Sequence, residues 1–145
     1  MNKERITRYK EKEEHFNRIF EKLKKWILDI SVNEFLTKTN LEKQFAIYHA
    51  YQIIIEIITD LAAMAVKDLK ILPKDDYVNI NILAENNIIS ETLATKMKDA
   101  NGLRNRIVHN YNGLADEIAY KSILSTINDI EKYIEAIKNW IKRNS

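Results

Sequence analysis

Cysteine is absent from this chain of 145 residues, which excludes disulfide bonds, cysteine-ligated zinc, iron–sulfur clusters and thiol catalysis. Two glycines and one proline are too few for the many tight turns of a β-sandwich. Long apolar runs are also absent, since the longest, residues 61–66 between Asp60 and Lys67, is far too short to cross a bilayer. The net charge of +2 is too small to argue by itself for nucleic-acid binding.

Apolar and charged residues make up most of what is present, at 46% and 30% of the chain. This composition is typical of a protein built from long amphipathic helices. The length suits one domain, residues 1–145, with a core of its own. The charged start of the chain, Met1 to Arg8, does not have the pattern of a signal peptide, so we expect a cytoplasmic protein without a membrane segment.

Hydrophobic periodicity predicts an all-α, up-and-down four-helix bundle with one short extra helix. Apolar residues recur in steps of three and four in the predicted helices, residues 3–30, 41–69, 77–85, from 91 to a motif near residue 109, and from 116 onward. Residues 31–40 are predicted as a loop, followed by a capping box of Thr39 and Glu42. The remaining boundaries are indicated by residues that commonly begin or end helices: Pro73, Ser90, Asn112-Gly113 and Asp116.

One short segment, residues 103–111, concentrates two cations, an imidazole and a phenol. The order is Arg104-Asn105-Arg106, then His109 and Tyr111. At about 100° per residue, Arg104 and His109 stand roughly 140° apart on a helix. A single straight helix therefore does not direct both side chains at one atom.

A two-fold dimer through the motif helix would solve this geometric problem. Gly102, Asn105 and His109 form a polar stripe, and pairing two such stripes would bring two His109 side chains and several arginines into one cleft. Histidine exchanges protons near neutral pH and arginine binds phosphate through its planar fork of donors. Such a cleft suits cleavage of RNA, whose own 2′-OH is the nucleophile, without a metal ion.

A structural interpretation of the same segment competes with the catalytic one. In it, Arg104 and Arg106 pair with acids on a neighbouring helix, His109 is an ordinary surface histidine and Tyr111 packs at a helix end. The other two histidines, His15 and His49, lack clustered partners and are interpreted as structural.

The motif Arg104-Asn105-x3-His109-x-Tyr111 resembles the signature of the HEPN superfamily, in the form found in HepT-type toxins. The order of predicted elements from about residue 40 to residue 143 is similar to that family as well. The resemblance implies a HEPN four-helix bundle that dimerises through the motif helix, a metal-independent endoribonuclease without cofactor, and an MntA-like nucleotidyltransferase antitoxin as partner. It also implies roles for the motif residues.

By this resemblance Arg104 and His109 are catalytic, with Arg104 on the phosphate and His109 as acid and base. Asn105 is an orienting residue, and Tyr111 is the site to which the antitoxin transfers AMP. Arg106 is not a fixed motif position, but it lies three residues from His109 and is a candidate auxiliary cation. Two alternatives stay open: a non-catalytic subunit that binds nucleotide or substrate for a nucleotidyltransferase, and a dimeric scaffold.

Overall fold

The computed structural model describes residues 1–109 and 113–145, and these residues form an all-helical bundle without strands. Among the described residues, six α-helices and one turn of 3-10 helix are assigned: α1 Lys3–Leu28, α2 Val32–Leu36, the 3-10 turn Lys38–Asn40, α3 Leu41–Asp68, α4 Asp76–Glu85, α5 Glu91–His109 and α6 Asp116–Arg143. The prediction of an all-α bundle with four long helices is confirmed. The described residues contain two short helices, α2 and α4, where the sequence predicted one.

Helix α1 begins after Asn2, whose side chain accepts a hydrogen bond from the Arg5 amide at 2.9 Å. Its predicted apolar stripe is buried at Phe16, Phe20 and Leu23, and the helix packs against α3 and α6. It ends at Leu28, two residues before the predicted boundary.

The segment predicted as a loop, residues 31–40, is mostly helical, so that prediction is wrong. The predicted capping box of Thr39 and Glu42 is also wrong, because Thr39 lies in the 3-10 turn and Asn40 precedes α3 without a side-chain cap. A capping box is formed instead by Ser31 and Glu34 at the start of α2. The physical reason for a helix here is Phe35, which is fully buried. Its ring stacks on the Tyr120 ring, with 4.1 Å between the ring centroids. Helix α2 forms because it places this aromatic ring in the core.

Helix α3 is the most buried helix, as its apolar residues on several sides predicted. Residues Lys38–Asp68 are long and apolar enough to cross a membrane by length and composition alone, but 61% of their most apolar window is buried within the protein. Burial of this kind is typical of the central helix of a bundle. Its neighbours are α1, α4, α5 and α6.

The predicted N-cap Ser90 is confirmed, because its Oγ accepts a hydrogen bond from the Leu93 amide at 3.1 Å. The predicted N-cap Asp116 is wrong. Asp116 is the first residue of α6, and Ala115 precedes it without a side-chain cap. The Asp116 carboxylate instead accepts a hydrogen bond from the Tyr48 hydroxyl, which ties the start of α6 to α3. The predicted stop at Asn112-Gly113 lies partly outside the described residues, with α5 ending at His109.

Candidate active site on helix α5

The motif occupies the last turns of α5, and its residues face different directions. Arg104 lies on the inner side: its Nη2 is 3.3 Å from Asp76 Oδ2 and 3.1 Å from Asn101 Oδ1. Its Nη1 is 4.0 Å from Glu56 Oε1. Acids of α3 and α4 therefore hold the guanidinium against the bundle, with 16% of the Arg104 side chain exposed.

Two nitrogen atoms in this cluster have no acceptor. Arg104 Nε and Asn101 Nδ2 are buried, and neither has a hydrogen-bond partner in the described part of the chain. Such buried unpaired donors are rare because each costs free energy. The cluster therefore holds the arginine in place at the cost of two buried donors without acceptors among the described residues.

His109 and Asn105 lie on the other side of α5. His109 is the last described residue of α5 and is exposed, while Asn105 and Gly102 are half-buried. The structure thus separates Arg104 from the stripe of Gly102, Asn105 and His109, as the helical angle between residues 104 and 109 requires. An imidazole that is open to solvent can reach a substrate or a second copy of the chain.

Arg106 is exposed and forms no ion pair with any described residue. The position that a Cβ of residue 102 would occupy is 3.6 Å from Arg106 Nη1 and 3.6 Å from the Tyr77 hydroxyl. The structural interpretation, in which both arginines pair with acids, therefore holds for Arg104 but not for Arg106.

Tyr111, the candidate modification site, lies outside the described residues. Of the other histidines, His15 Nδ1 is 2.9 Å from Arg18 Nη2 and His49 is exposed on α3. Within residues 1–109 and 113–145, no group of three or more His, Asp or Glu side chains is arranged to hold a metal ion.

Sequence reasoning missed the partners of Arg104, namely Glu56, Asp76 and Asn101. Glu56 carried a usable signal, since it interrupts the run Ile53-Ile54-Ile55-Glu56-Ile57-Ile58 in the most apolar helix, and such an acid needs a partner. Asp76 and Asn101 stand in polar surroundings and gave no comparable signal.

Comparison with known proteins points to one family. The family model "Ribonuclease HepT-like" matches residues 16–137. A candidate RNase of Archaeoglobus fulgidus is 38% identical over 89 residues, which are 61% of this chain and 67% of the relative. The mRNA nuclease HepT of Shewanella oneidensis is 33% identical over 67 residues, 46% of this chain and 50% of the relative. These alignments thus span between half and about two thirds of the relatives.

The fold has a close match among solved structures. The tri-AMPylated HEPN toxin of Shewanella oneidensis, in complex with an MNT antitoxin, is similar with a TM-score of 0.79 and 25% identity. The match covers 96% of this chain and 99% of the toxin. The helices that carry Arg104, Glu56 and Asp76 therefore belong to a bundle of the same architecture as that toxin.

Proposed function

This chain belongs to the HepT-like ribonuclease family, and we propose that it is the toxin of a toxin–antitoxin pair, an endoribonuclease that cleaves RNA without a metal ion. The observation that carries the proposal is the motif on α5, where an exposed His109 follows an Arg104 held in place by acids. An mRNA nuclease among the relatives and a HEPN toxin with the same fold support it.

The proposed chemistry uses the substrate's own hydroxyl. One His109 takes the proton of the RNA 2′-OH, the 2′ oxygen attacks phosphorus, and the bond from phosphorus to the 5′ oxygen breaks. A second His109 gives a proton to the leaving 5′ oxygen, so the products are a 2′,3′-cyclic phosphate and a 5′-OH end. Arg104 neutralises the charge on the phosphate oxygens. Asn105 orients a partner group in the same site.

Two His109 side chains require a homodimer. We propose that two copies pair through the stripe of Gly102, Asn105 and His109, in which His109 is exposed and Gly102 and Asn105 are half-buried. Light scattering at micromolar concentration should give the mass of two chains. A monomer under those conditions would remove the shared site.

The proposed partner is a nucleotidyltransferase antitoxin of the MNT type, as in the complex with the similar Shewanella toxin. In this scheme the Tyr111 oxygen attacks the α-phosphate of ATP, pyrophosphate leaves, and AMP stays on the phenol. The added charge and bulk beside a phosphate-binding site would exclude RNA. Both proteins would act in the cytoplasm, where RNA and ATP are available.

One observation favours the alternative of a non-catalytic binding subunit. Arg104 already contacts Asp76 and Glu56, so a phosphate would have to share the guanidinium with those acids. The exposed His109 on the same helix is the feature that argues for catalysis. Activity measurements decide between the two.

The deciding experiment is cleavage of a mixed RNA pool in EDTA by the wild type, His109→Ala and Arg104→Ala. His15→Ala is the matched control, because it removes a histidine from α1, a helix that packs mainly against α3 and α6 rather than against the motif helix α5. We expect cleavage by the wild type and His15→Ala, and loss of about 100-fold or more in each motif variant. An unmodified wild type that leaves RNA intact would support the binding subunit instead.

A further inference from the structure

A cleft beside the motif is not used by the chemistry described above. It lies between α5 and α6 under Tyr77 of α4, and its volume is about 470 Å³. That size is within the range of small-molecule and nucleotide sites, about 300 to 1,000 Å³. We call it the Arg106 cleft.

Positive charge dominates the walls of the Arg106 cleft. Three cations line it, Arg106, Lys96 and Lys98, against one carboxylate, Asp99. Lys98 Nζ donates to Asn81 Oδ1 at 2.8 Å, whereas Arg106 has no ion-pair partner among the described residues. An unpaired guanidinium in a concave cationic site is suited to a phosphate group, which its planar fork binds through two donors.

Hydroxyl groups complete the cleft. At its floor the Tyr51 hydroxyl and Thr126 Oγ1 are 2.9 Å apart, and burial raises the pKa of Tyr51 to about 12, so this floor stays uncharged at neutral pH. At the mouth the Tyr77 hydroxyl lies across Gly102 from Arg106. Tyr77 is 40% exposed as a residue, and an exposed aromatic side chain is a surface on which a base can stack.

Position links the cleft to the motif. Arg106 is three residues from His109, about 4.5 Å along the helix axis, and Gly102 belongs both to the cleft and to the polar stripe. A strand whose scissile phosphate lies at His109 would therefore pass the cleft mouth with a neighbouring nucleotide.

We propose that the Arg106 cleft binds a phosphate group of single-stranded RNA adjacent to the phosphate that is cut, with Arg106 as the phosphate ligand and Tyr77 as a stacking surface. This inference rests on the proposed ribonuclease function, because that function supplies RNA as the ligand. Free nucleotides carry the same chemistry, so the test separates the two sources.

The test measures binding of a fluorescein-labelled oligoribonucleotide with 2′-O-methyl groups, which lacks the nucleophile and is not cleaved. Fluorescence anisotropy in EDTA is followed at several salt concentrations for the full chain, Arg106→Gln, Tyr77→Ala and the control Arg143→Gln. Arg143 is an exposed cation at the end of α6, so the control makes the same change in charge away from the cleft.

We expect Arg106→Gln to weaken binding about tenfold and to lower the slope of log K against log salt by about 0.7, the value for one phosphate contact in a single strand. Tyr77→Ala should weaken binding several-fold with an unchanged slope, because stacking carries no charge. Arg143→Gln should match the wild type. Equal binding and equal slopes in Arg106→Gln and Arg143→Gln would overturn the proposal.

A competition arm uses ATP and AMP against the same oligonucleotide. Displacement only at millimolar nucleotide supports an RNA strand as the occupant. Displacement at micromolar ATP in the wild type, lost in Arg106→Gln, would overturn the RNA assignment and make the cleft a free-nucleotide site. The probe is not cut, so a failed ribonuclease assay with Arg106-dependent binding would reject the proposed activity while leaving the phosphate site in place.

Discussion

Two arginines in this bundle are buried to nearly the same extent, yet their surroundings differ. The Arg5 and Arg104 side chains are 18% and 16% exposed. Arg5 Nε and Nη2 each lie 3.0 Å from an oxygen of Asp68, a bidentate pair. The Tyr9 hydroxyl donates to the same carboxylate at 2.6 Å. The Asp68 carboxylate is therefore the hydrogen-bond acceptor for both the guanidinium and the phenol.

Arg104 has longer contacts to two different acids, at 3.3 Å to Asp76 and 4.0 Å to Glu56. The side chains of these acids are 40% and 45% exposed, and the Arg104 Nε has no acceptor among the described residues. The difference indicates that the Arg5 cluster fastens α1 to α3, whereas the Arg104 cluster orients a guanidinium without saturating it.

The sharpest test of this comparison makes the same change at both sites. Lysine keeps the charge but loses the planar fork. We expect Arg104→Lys to lower the single-turnover rate of RNA cleavage about 100-fold and the free energy of unfolding by less than about 1 kcal/mol. Arg5→Lys should cost about 2 kcal/mol of unfolding free energy and leave the cleavage rate within about twofold.

Cleavage in EDTA and urea denaturation of both variants measure these two quantities. If both variants lost similar unfolding free energy and cleaved RNA at similar rates, the Arg104 cluster would have only a structural role, like the Arg5 cluster. That result would also favour the alternative function of a non-catalytic binding subunit.

The Arg5 cluster also predicts a pH dependence. Burial raises the pKa of Asp68, but the hydrogen bonds from Arg5 and Tyr9 outweigh it and hold the pKa below its usual value of 3.8. The pair therefore contributes its full stability above about pH 4 to 5, and this stability is lost as the pH falls through the lowered pKa of the folded state. The urea midpoint should fall as the pH goes from about 5 to about 3.

Asp68→Asn should flatten that decline, because the variant has no carboxylate to protonate. Asp76→Asn is the matched control on the other cluster, and its decline should follow the wild type. An acid-induced loss that is unchanged in Asp68→Asn would show that other carboxylates govern it.

The sequence predicted the parts of the fold that depend on periodicity. The four long helices and α4 fall within two residues of their predicted starts and ends wherever the structure describes them, because apolar residues at steps of three and four identify a buried face. The segment around Phe35 was missed since five residues are too few to show a period. Its helix depends on a tertiary contact, the stack on Tyr120.

The candidate site was predictable in its residue types but not in its contacts. Spacing alone separated Arg104 from His109 around the helix axis, and the structure places them on different sides of α5. Which acids hold Arg104 depends on how α3 and α4 pack against α5, which no local pattern contains. The Arg106 cleft is likewise assembled from α3, α4, α5 and α6, whose residues are far apart in sequence.

The smallest expected effect compares two buried asparagines that are each 1% exposed, Asn101 of the Arg104 cluster and Asn79 of α4. Asn79 is satisfied: its Oδ1 accepts from the Lys74 amide at 2.8 Å and its Nδ2 donates to the Lys74 carbonyl at 3.0 Å. Asn101 accepts from Arg104, but its Nδ2 has no partner within the described residues. Leucine has a similar size and makes no hydrogen bonds.

Asn79→Leu should therefore cost about 2 kcal/mol of unfolding free energy, because two backbone groups lose their partner. Asn101→Leu should change it by less than about 1 kcal/mol, since removing an unpaired amide offsets the lost bond to Arg104. Its RNA cleavage should still slow by about threefold to tenfold as Arg104 becomes less well oriented. Equal stability losses in the two variants would mean that the Asn101 amide is satisfied in solution, and the contrast between the two asparagines would be lost.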